Sequence, residues 1–337
     1  MGFHRRLVPS GFDRGASAAL CVLSATAAAL AAVPASAVPL DDTRAEVDRL
    51  YEQAEQATEA YNKADERAGT LRKQVSTAQD RIARQQERIN SMREALGSLA
   101  GAQYRAGGLD PSLALLLSDD PDDYLDKAAA LDRISAHQAG ELKDLQEAMR
   151  ELTQERVEAA GQLSELEKSR KAVATHKRTV EKKLAKAREL LNSLPSAERA
   201  AYDRSSRSGR ADMPDLGGAV PPNARAGAAV AAARGALGKP YVWGSTGPSG
   251  FDCSGLMVWS YRQAGVSLPR TSQAQRHAGR QVPLSQVQPG DLVTYRSDAS
   301  HVGMYVGNGQ VIHAPYPGAS VRYDPVGMMP GATVTRV

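Results

Sequence analysis

Cys253 stands in Gly250-Phe-Asp-Cys-Ser-Gly-Leu-Met-Val-Trp259, and it is one of two cysteines in a chain of 337 residues. The other, Cys21, falls inside a leader pattern. Arg5, Arg6 and Arg14 are followed by an uncharged Ala- and Leu-rich run from Gly15 and by Ala35-Ser36-Ala37, just ahead of Asp41-Asp42. A basic start, an apolar run and small residues at the end read as a cleaved signal peptide over 1–37. Its removal leaves Cys253 with no partner in its own chain. Exported domains use cysteines in pairs, so an odd one suggests intermolecular pairing or a reactive thiol, with a small buried apolar residue as the plainer reading.

The neighbours of Cys253 suit a nucleophile. Asp252 is a good N-cap, and Leu256-Met-Val-Trp259 reads as the buried face of a helix starting at the cysteine. A thiol in a first helical turn faces unpaired backbone N–H groups and the positive end of the dipole, and both stabilise thiolate. The same N–H groups can donate to an oxyanion formed beside the sulfur. A thiolate also needs an imidazole to exchange its proton and a third group to orient that imidazole. His301 and His313 are the candidates, on strand-like runs either side of Gly307-Asn-Gly309. A three-residue loop there would pair Val306 with Gln310, set His313 opposite Gly303 and bring both histidines to one face. A two-residue Asn308-Gly309 loop would put them on opposite faces. The catalytic reading therefore expects the three-residue loop, with a left-handed residue or a bulge. His277 lies in a polar segment and reads as surface, while His4, His137 and His176 fall outside this region. No C-x-x-C or H-x-x-x-H pair occurs, so the spacing gives no reason to expect a metal site.

An α+β domain over 223–337 has to position these groups. An Ala-rich helix over 224–237, a Gly-rich loop and a helix that starts after Asp252 and ends near Gly265 precede strand-like runs at 292–295, 301–306 and 310–314. Upstream, apolar residues recur in steps of three and four from Val47 through Leu50, Ala54 and Ala57 to Leu99, broken only by Gln85. A second such run from Leu142 to Leu194 is interrupted by Arg156, Arg170 and Lys177. These are coiled-coil seams, and the glycines and prolines around Gly107-Gly-Leu-Asp-Pro111 and Pro121 should turn the chain back. The expectation is a long antiparallel helical hairpin over 41–194, with arms on the order of 100 Å, whose charges form a solvated face. Residues 195–222, rich in Ser, Arg, Gly, Asp and Pro, read as a flexible linker. The leader removes three arginines and one aspartate from 42 basic and 38 acidic residues, and the near-neutral remainder argues against a nucleic-acid partner. No segment after the leader is apolar enough to span a membrane.

Six motifs occur in order: Pro240-Tyr-Val-Trp-Gly244, Phe251-Asp-Cys-Ser-Gly-Leu256, Leu268-Pro-Arg-Thr-Ser-Gln-Ala-Gln275, Pro289-Gly-Asp-Leu292, His301-Val-Gly-Met-Tyr305 and Ile312-His-Ala314. Together they resemble the NlpC-type cell-wall endopeptidases, a papain-like cysteine peptidase group, over 223–337. The resemblance implies Cys253 as nucleophile, His301 as base and then acid, and His313 as the residue orienting His301. It implies Tyr241 in the oxyanion site, Asp252 and Ser254 on the amino end of a peptide stem, and Arg270, Ser272 and Gln275 near the cleft. Ser245 departs from the family, which often has a second glycine there. The implied reaction is hydrolysis of peptidoglycan stem peptides, typically between D-isoglutamate and the following diamino acid, by a secreted, wall-associated enzyme without a cofactor. An amidase or acyltransferase on the same scaffold, or a coiled-coil activator that only binds cell wall, are the alternatives. The hairpin is long enough to fold back over the cleft and inhibit it, or to dock on a partner protein.

Overall fold

The computed structural model describes residues 40–105, 121–207 and 220–337. The signal-peptide expectation and the turn between the coil arms lie outside them. The first heptad run forms α1 (Leu40–Arg105) and the second forms α2 (Pro121–Ser193). They pack antiparallel: Gln53 meets Lys183, Ala64 meets Ser169, Arg67 meets Glu165 and Gln85 meets Ala148, so partner numbers fall as those on α1 rise. Buried Ala54, Ala57, Ala68 and Ala78 allow a close approach along the seam. Gln85, the polar break in the stripe, donates its amide to the Ala148 carbonyl and the Glu151 carboxylate. The break is thus satisfied by hydrogen bonds.

The linker expected over 195–222 begins instead with a helix, α3 (Ser196–Arg207). Its sequence has no heptad period, which is why it reads as linker. Pro195 ends α2 but is tolerated just ahead of a new helix, its carbonyl accepting from the N–H groups of Glu198 and Arg199. Glu198 then pairs with Arg44 at 2.7 Å and the Tyr202 hydroxyl donates to Asp48 at 3.0 Å, tying α3 to the start of α1.

The C-terminal domain contains α4 (Ala224–Gly235), α5 (Cys253–Gln263), the short α6 (Ser272–Gln275) and six strands. These are β1 (Arg280–Val282), β2 (Leu292–Tyr295), β3 (His301–Gly307), β4 (Gln310–His313), β5 (Arg322–Pro325) and β6 (Thr333–Arg336). They form one antiparallel sheet in the order β1-β6-β2-β3-β4-β5. Helices α4 and α5 cover one face, where Leu256, Met257 and Tyr261 pack with Leu292, Met304 and Ile312. Val293, Tyr295, Val311 and Val334 fill the other face, as the two-residue period of strands requires. The α+β expectation and the three central strands agree with this architecture. Strands β1, β5 and β6 were not expected: each is three or four residues long and carries charged or hydroxyl side chains.

One glycine sets how closely α5 approaches the loop before it. A Cβ on Gly255 would lie 2.1 Å from the Ser245 carbonyl oxygen. The neighbour is backbone and cannot swing aside. Gly255→Ala should destabilise the C-terminal domain by about 3 kcal/mol, seen as a lowered midpoint in denaturant unfolding. An unchanged midpoint would show that the loop yields.

Candidate active site

Asp252 has extended backbone and accepts the Gly255 N–H at 2.6 Å, so α5 begins at Cys253 as a capped helix. Cys253 is almost fully buried. His301 opens β3 and His313 closes β4. The hairpin joining them corrects the expected loop. Gly307 pairs with Gln310, leaving the two-residue turn Asn308-Gly309 with both residues at positive φ, 48° and 68°. That turn alone would separate the histidines. The register then shifts between Tyr305 and Gly307, and Tyr305 pairs with Val311 and Met304 with Ile312. The extra residue, Val306, is a bulge that restores a common face. Gly303 lies beside His313, the proximity expected of the catalytic register.

His301 Nε2 is 2.7 Å from His313 Nδ1, and His313 Nε2 is 2.7 Å from an Asp324 oxygen. These partners assign the protons. Ionised Asp324 can only accept, so His313 carries its proton on Nε2 and presents the Nδ1 lone pair to the Nε2–H of His301. Burial pushes His313 down to about 4, which keeps it neutral. Burial alone would raise Asp324, but the hydrogen bond from His313 and the Arg322 guanidinium outweigh it and hold the carboxyl below its usual range. Asp324 was missed by the sequence reading because β5 itself was missed. The signal available was the alternation Arg322-x-Asp324 one strand beyond His313.

His301 Nδ1, the atom a base would turn to the thiol, is taken. It lies 2.8 Å from Glu55 Oε1, and the other Glu55 oxygen accepts from Arg296 at 2.8 Å. Glu59, one turn further along α1, reaches the thiol. Its Oε1 is 3.7 Å from Cys253 Sγ and accepts the Ser254 hydroxyl at 2.7 Å, while its Oε2 accepts the Ser272 N–H at 2.8 Å. Asn62 donates to Asp252 at 3.2 Å, and Tyr51 stacks on Tyr316 at 4.9 Å. Burial, and then the Asp252 charge, raises Glu59 to about 7. Burial also pushes the Cys253 thiol well up, reinforced by the carboxylates of Glu59, Glu55 and Asp252.

The expectation that the charges of the coil form a solvated face fails at these two residues. Glu55 and Glu59 are each only 2% exposed. The signal was a second stripe on α1, Tyr51, Glu55, Thr58 and Asn62, running beside the apolar seam at helical spacing.

The remaining expected residues are gathered here too. Arg270 bridges Asp252 and Ser254, and Asp252 holds its guanidinium charged against the cost of burial. The buried hydroxyl of Tyr241 has no hydrogen-bond partner among the described residues, and the nearby Cys253 adds to the burial that raises its pKa. Ser272 offers its N–H to Glu59, whereas the Gln275 amide donates to the carbonyls of Ser254 and Pro269 and so braces α5 from below. Ser245, in place of a glycine, donates to the Gly250 carbonyl and accepts from the Gly247 N–H, holding the loop before α5. His277 is exposed, as expected.

A thiol at a helix start, an imidazole nearby and polar groups behind that imidazole are the groups that thiol-nucleophile chemistry requires. Residues 238–332 match the NlpC/P60 family, and the chain carries an NlpC/P60 domain, of the cysteine peptidase class, at its C-terminus. A probable endopeptidase of Mycobacterium tuberculosis is 50% identical over 99 residues, 29% of this chain and 26% of that protein. One from Corynebacterium glutamicum is 52% identical over 104 residues, 31% of this chain and 49% of that one. The peptidoglycan endopeptidase RipA of Mycolicibacterium smegmatis is 44% identical over 114 residues, 29% of this chain and 23% of its own. A solved NlpC/p60 domain of the peptidoglycan hydrolase SagA is 40% identical, covering 33% of this chain and 98% of that structure, with a TM-score of 0.31. The chain thus matches between about a quarter and a half of these curated relatives' length.

Asp324→Ala should release the His313 tautomer. Nitrogen chemical shifts of the imidazoles would show His313 losing its fixed Nε2–H form with the domain still folded. An unchanged His313 signature would mean that Asp324 does not orient the ring.

Proposed function

We propose that the chain is a peptidoglycan endopeptidase acting outside the cytoplasm, held closed by its own α1 helix. Support for the reaction comes from the NlpC/P60 domain, the names of its relatives and the convergence of Cys253, His301 and His313. Cys253 thiolate attacks the stem-peptide carbonyl, typically that of D-isoglutamate. The oxyanion is received by the N–H groups at the start of α5 and by the free hydroxyl of Tyr241. His301 protonates the leaving amine of the diamino acid, and water, activated by the same imidazole, releases the acyl group. His313 and Asp324 keep the reactive lone pair of His301 on Nδ1. Asp252, Ser254 and Arg270 bind the amino end of the stem. For secretion, the support is the leader pattern of 1–37, and among the described residues no helix is long and apolar enough to cross a membrane.

The observation that carries the closed state is the placement of Glu55 on His301 Nδ1 and of Glu59 on Ser254, Ser272 and the thiol. Each contact occupies a group the reaction needs. A peptide stem would have to displace both carboxylates to reach the sulfur. Inhibition in the closed state is therefore competitive and internal, and the length of the coil beyond residue 62 is free to take up the force or partner that opens it.

Defined muropeptides, with products identified by mass, test both halves. Cys253→Ala should cleave nothing. The double variant Glu55→Ala/Glu59→Ala and residues 223–337 alone should cleave about tenfold or more faster than the parent, the range of ordinary coupling energies. Parent-like rates in both would remove the latch and leave the coil as a docking element. No stem cleavage by any form would remove the endopeptidase reading, and a new amide product would point to the acyltransferase.

A further inference from the structure

Glu55, Cys253 and His301 offer one ligand atom each, all within 4.8 Å of one another, and all three side chains are buried. No residue spacing in the chain points to a metal, because the third ligand comes from a helix 246 residues away from His301. We propose that the closed protein is a binding site for a single divalent zinc-like cation, held by Cys253 Sγ, His301 Nδ1 and Glu55 Oε1, which locks α1 over the cleft. The proposal rests on the closed-state reading above.

Thiolate, imidazole and carboxylate together are a zinc donor set, with one tetrahedral position left over. Glu59 Oε1, 3.7 Å from the sulfur, or a water would fill it. The surrounding groups already hold the ligands as zinc ligands are held. His301 directs its other ring nitrogen at His313, which is fixed in turn by Asp324. Glu55 keeps its second oxygen on Arg296. Tetrahedral zinc sets its nitrogen and oxygen ligands about 3.3 Å apart. The 2.8 Å between Glu55 and His301 therefore widens slightly as the cation replaces the proton between them, and the sulfur draws in. On binding, the thiol proton and that shared proton leave to solvent, and no redox change occurs. The charges suit this exchange: the thiolate, Glu55 and Glu59 surround the cation, and Arg296 offsets the excess.

The substrate-accessible enzyme lacks this site, since without α1 only Cys253 and His301 remain of the donors. The cation therefore stabilises the closed form over the open one by its differential affinity. Any supply of the metal would raise the threshold for opening, and a chelator would lower it.

The test uses the chain from residue 38 onward, with Zn2+ titrated against a chromophoric chelator and Co2+ as a spectroscopic probe. The parent should bind one Zn2+, show a thiolate-to-cobalt charge-transfer band with tetrahedral ligand-field bands, and protect Cys253 from iodoacetamide. Glu55→Gln should weaken Zn2+ binding about 100-fold, and Cys253→Ser should remove the cobalt band while keeping the circular dichroism of the parent. Equal Zn2+ affinity in the parent and Glu55→Gln, or no charge-transfer band, overturns the proposal. Muropeptide cleavage in metal-free buffer separates the two readings. If Glu55→Gln is faster there but binds zinc like the parent, the latch stands and the metal site falls. If the metal-free rate of Glu55→Ala/Glu59→Ala equals the parent's, the latch falls, and this site as its lock falls with it.

Discussion

Burying carboxylates beside a thiol is costly unless each oxygen finds a donor, and that constraint organises the contact between α1 and the catalytic domain. Glu55 meets it with an imidazole on one oxygen and a guanidinium on the other. Glu59 meets it with a hydroxyl and a backbone N–H at the start of α6. Several of these donors, among them the His301 ring and the Ser254 hydroxyl, are groups that the reaction proposed above would use. A helix dressed in carboxylates can therefore close the site without a tailored pocket, because the site is rich in donors and poor in acceptors. Asp252 is the exception, and there α1 presents the amide of Asn62 instead.

The thiol belongs to the same balance. A helix start favours thiolate, whereas burial under three carboxylates favours thiol, and in the closed protein the second effect wins. Closure and thiolate formation are thus antagonists joined by one free-energy term. In the closed state proposed above, whatever stabilises the thiolate would work against the latch. A purely steric plug would lack this electrostatic effect on the thiol.

Much of the catalytic half was legible in the sequence because its signals are local. The Asp252 cap, the apolar run behind Cys253 and the hairpin signal at Gly307-Asn-Gly309, though not its turn length, each lie within a few residues of what they position. The bulge at Val306 was harder to read. Nothing in Tyr-Val-Gly-Asn-Gly distinguishes a longer loop from a tight turn with one residue squeezed out of the ladder, although both satisfy the demand that the histidines share a face. Asp324 was lost because a short strand with charged residues resembles a loop. Glu55 and Glu59 were lost for a different reason. On an isolated helix they are ordinary solvated acids, and their burial depends on a surface 194 to 246 positions downstream. The heptad pattern drew notice to the seam, while the functional stripe lay on the face beside it.

The geometry of the hairpin gives that stripe its use. Buried alanines let α1 and α2 pack closely along the seam, and α3 is tied back to the start of α1 through Arg44 and Asp48. The segment bearing Glu55, Glu59 and Asn62 is therefore stiffened by neighbours on one side while it inserts into the cleft on the other. A flexible peptide with the same side chains would lose conformational entropy on each closure, whereas a prefolded helix has lost it already. Stiffness also means that Tyr51, Glu55, Glu59 and Asn62, spread over three turns of one rod, cannot leave one at a time. They would have to tilt away together, so the opening proposed above would be cooperative across all of these contacts.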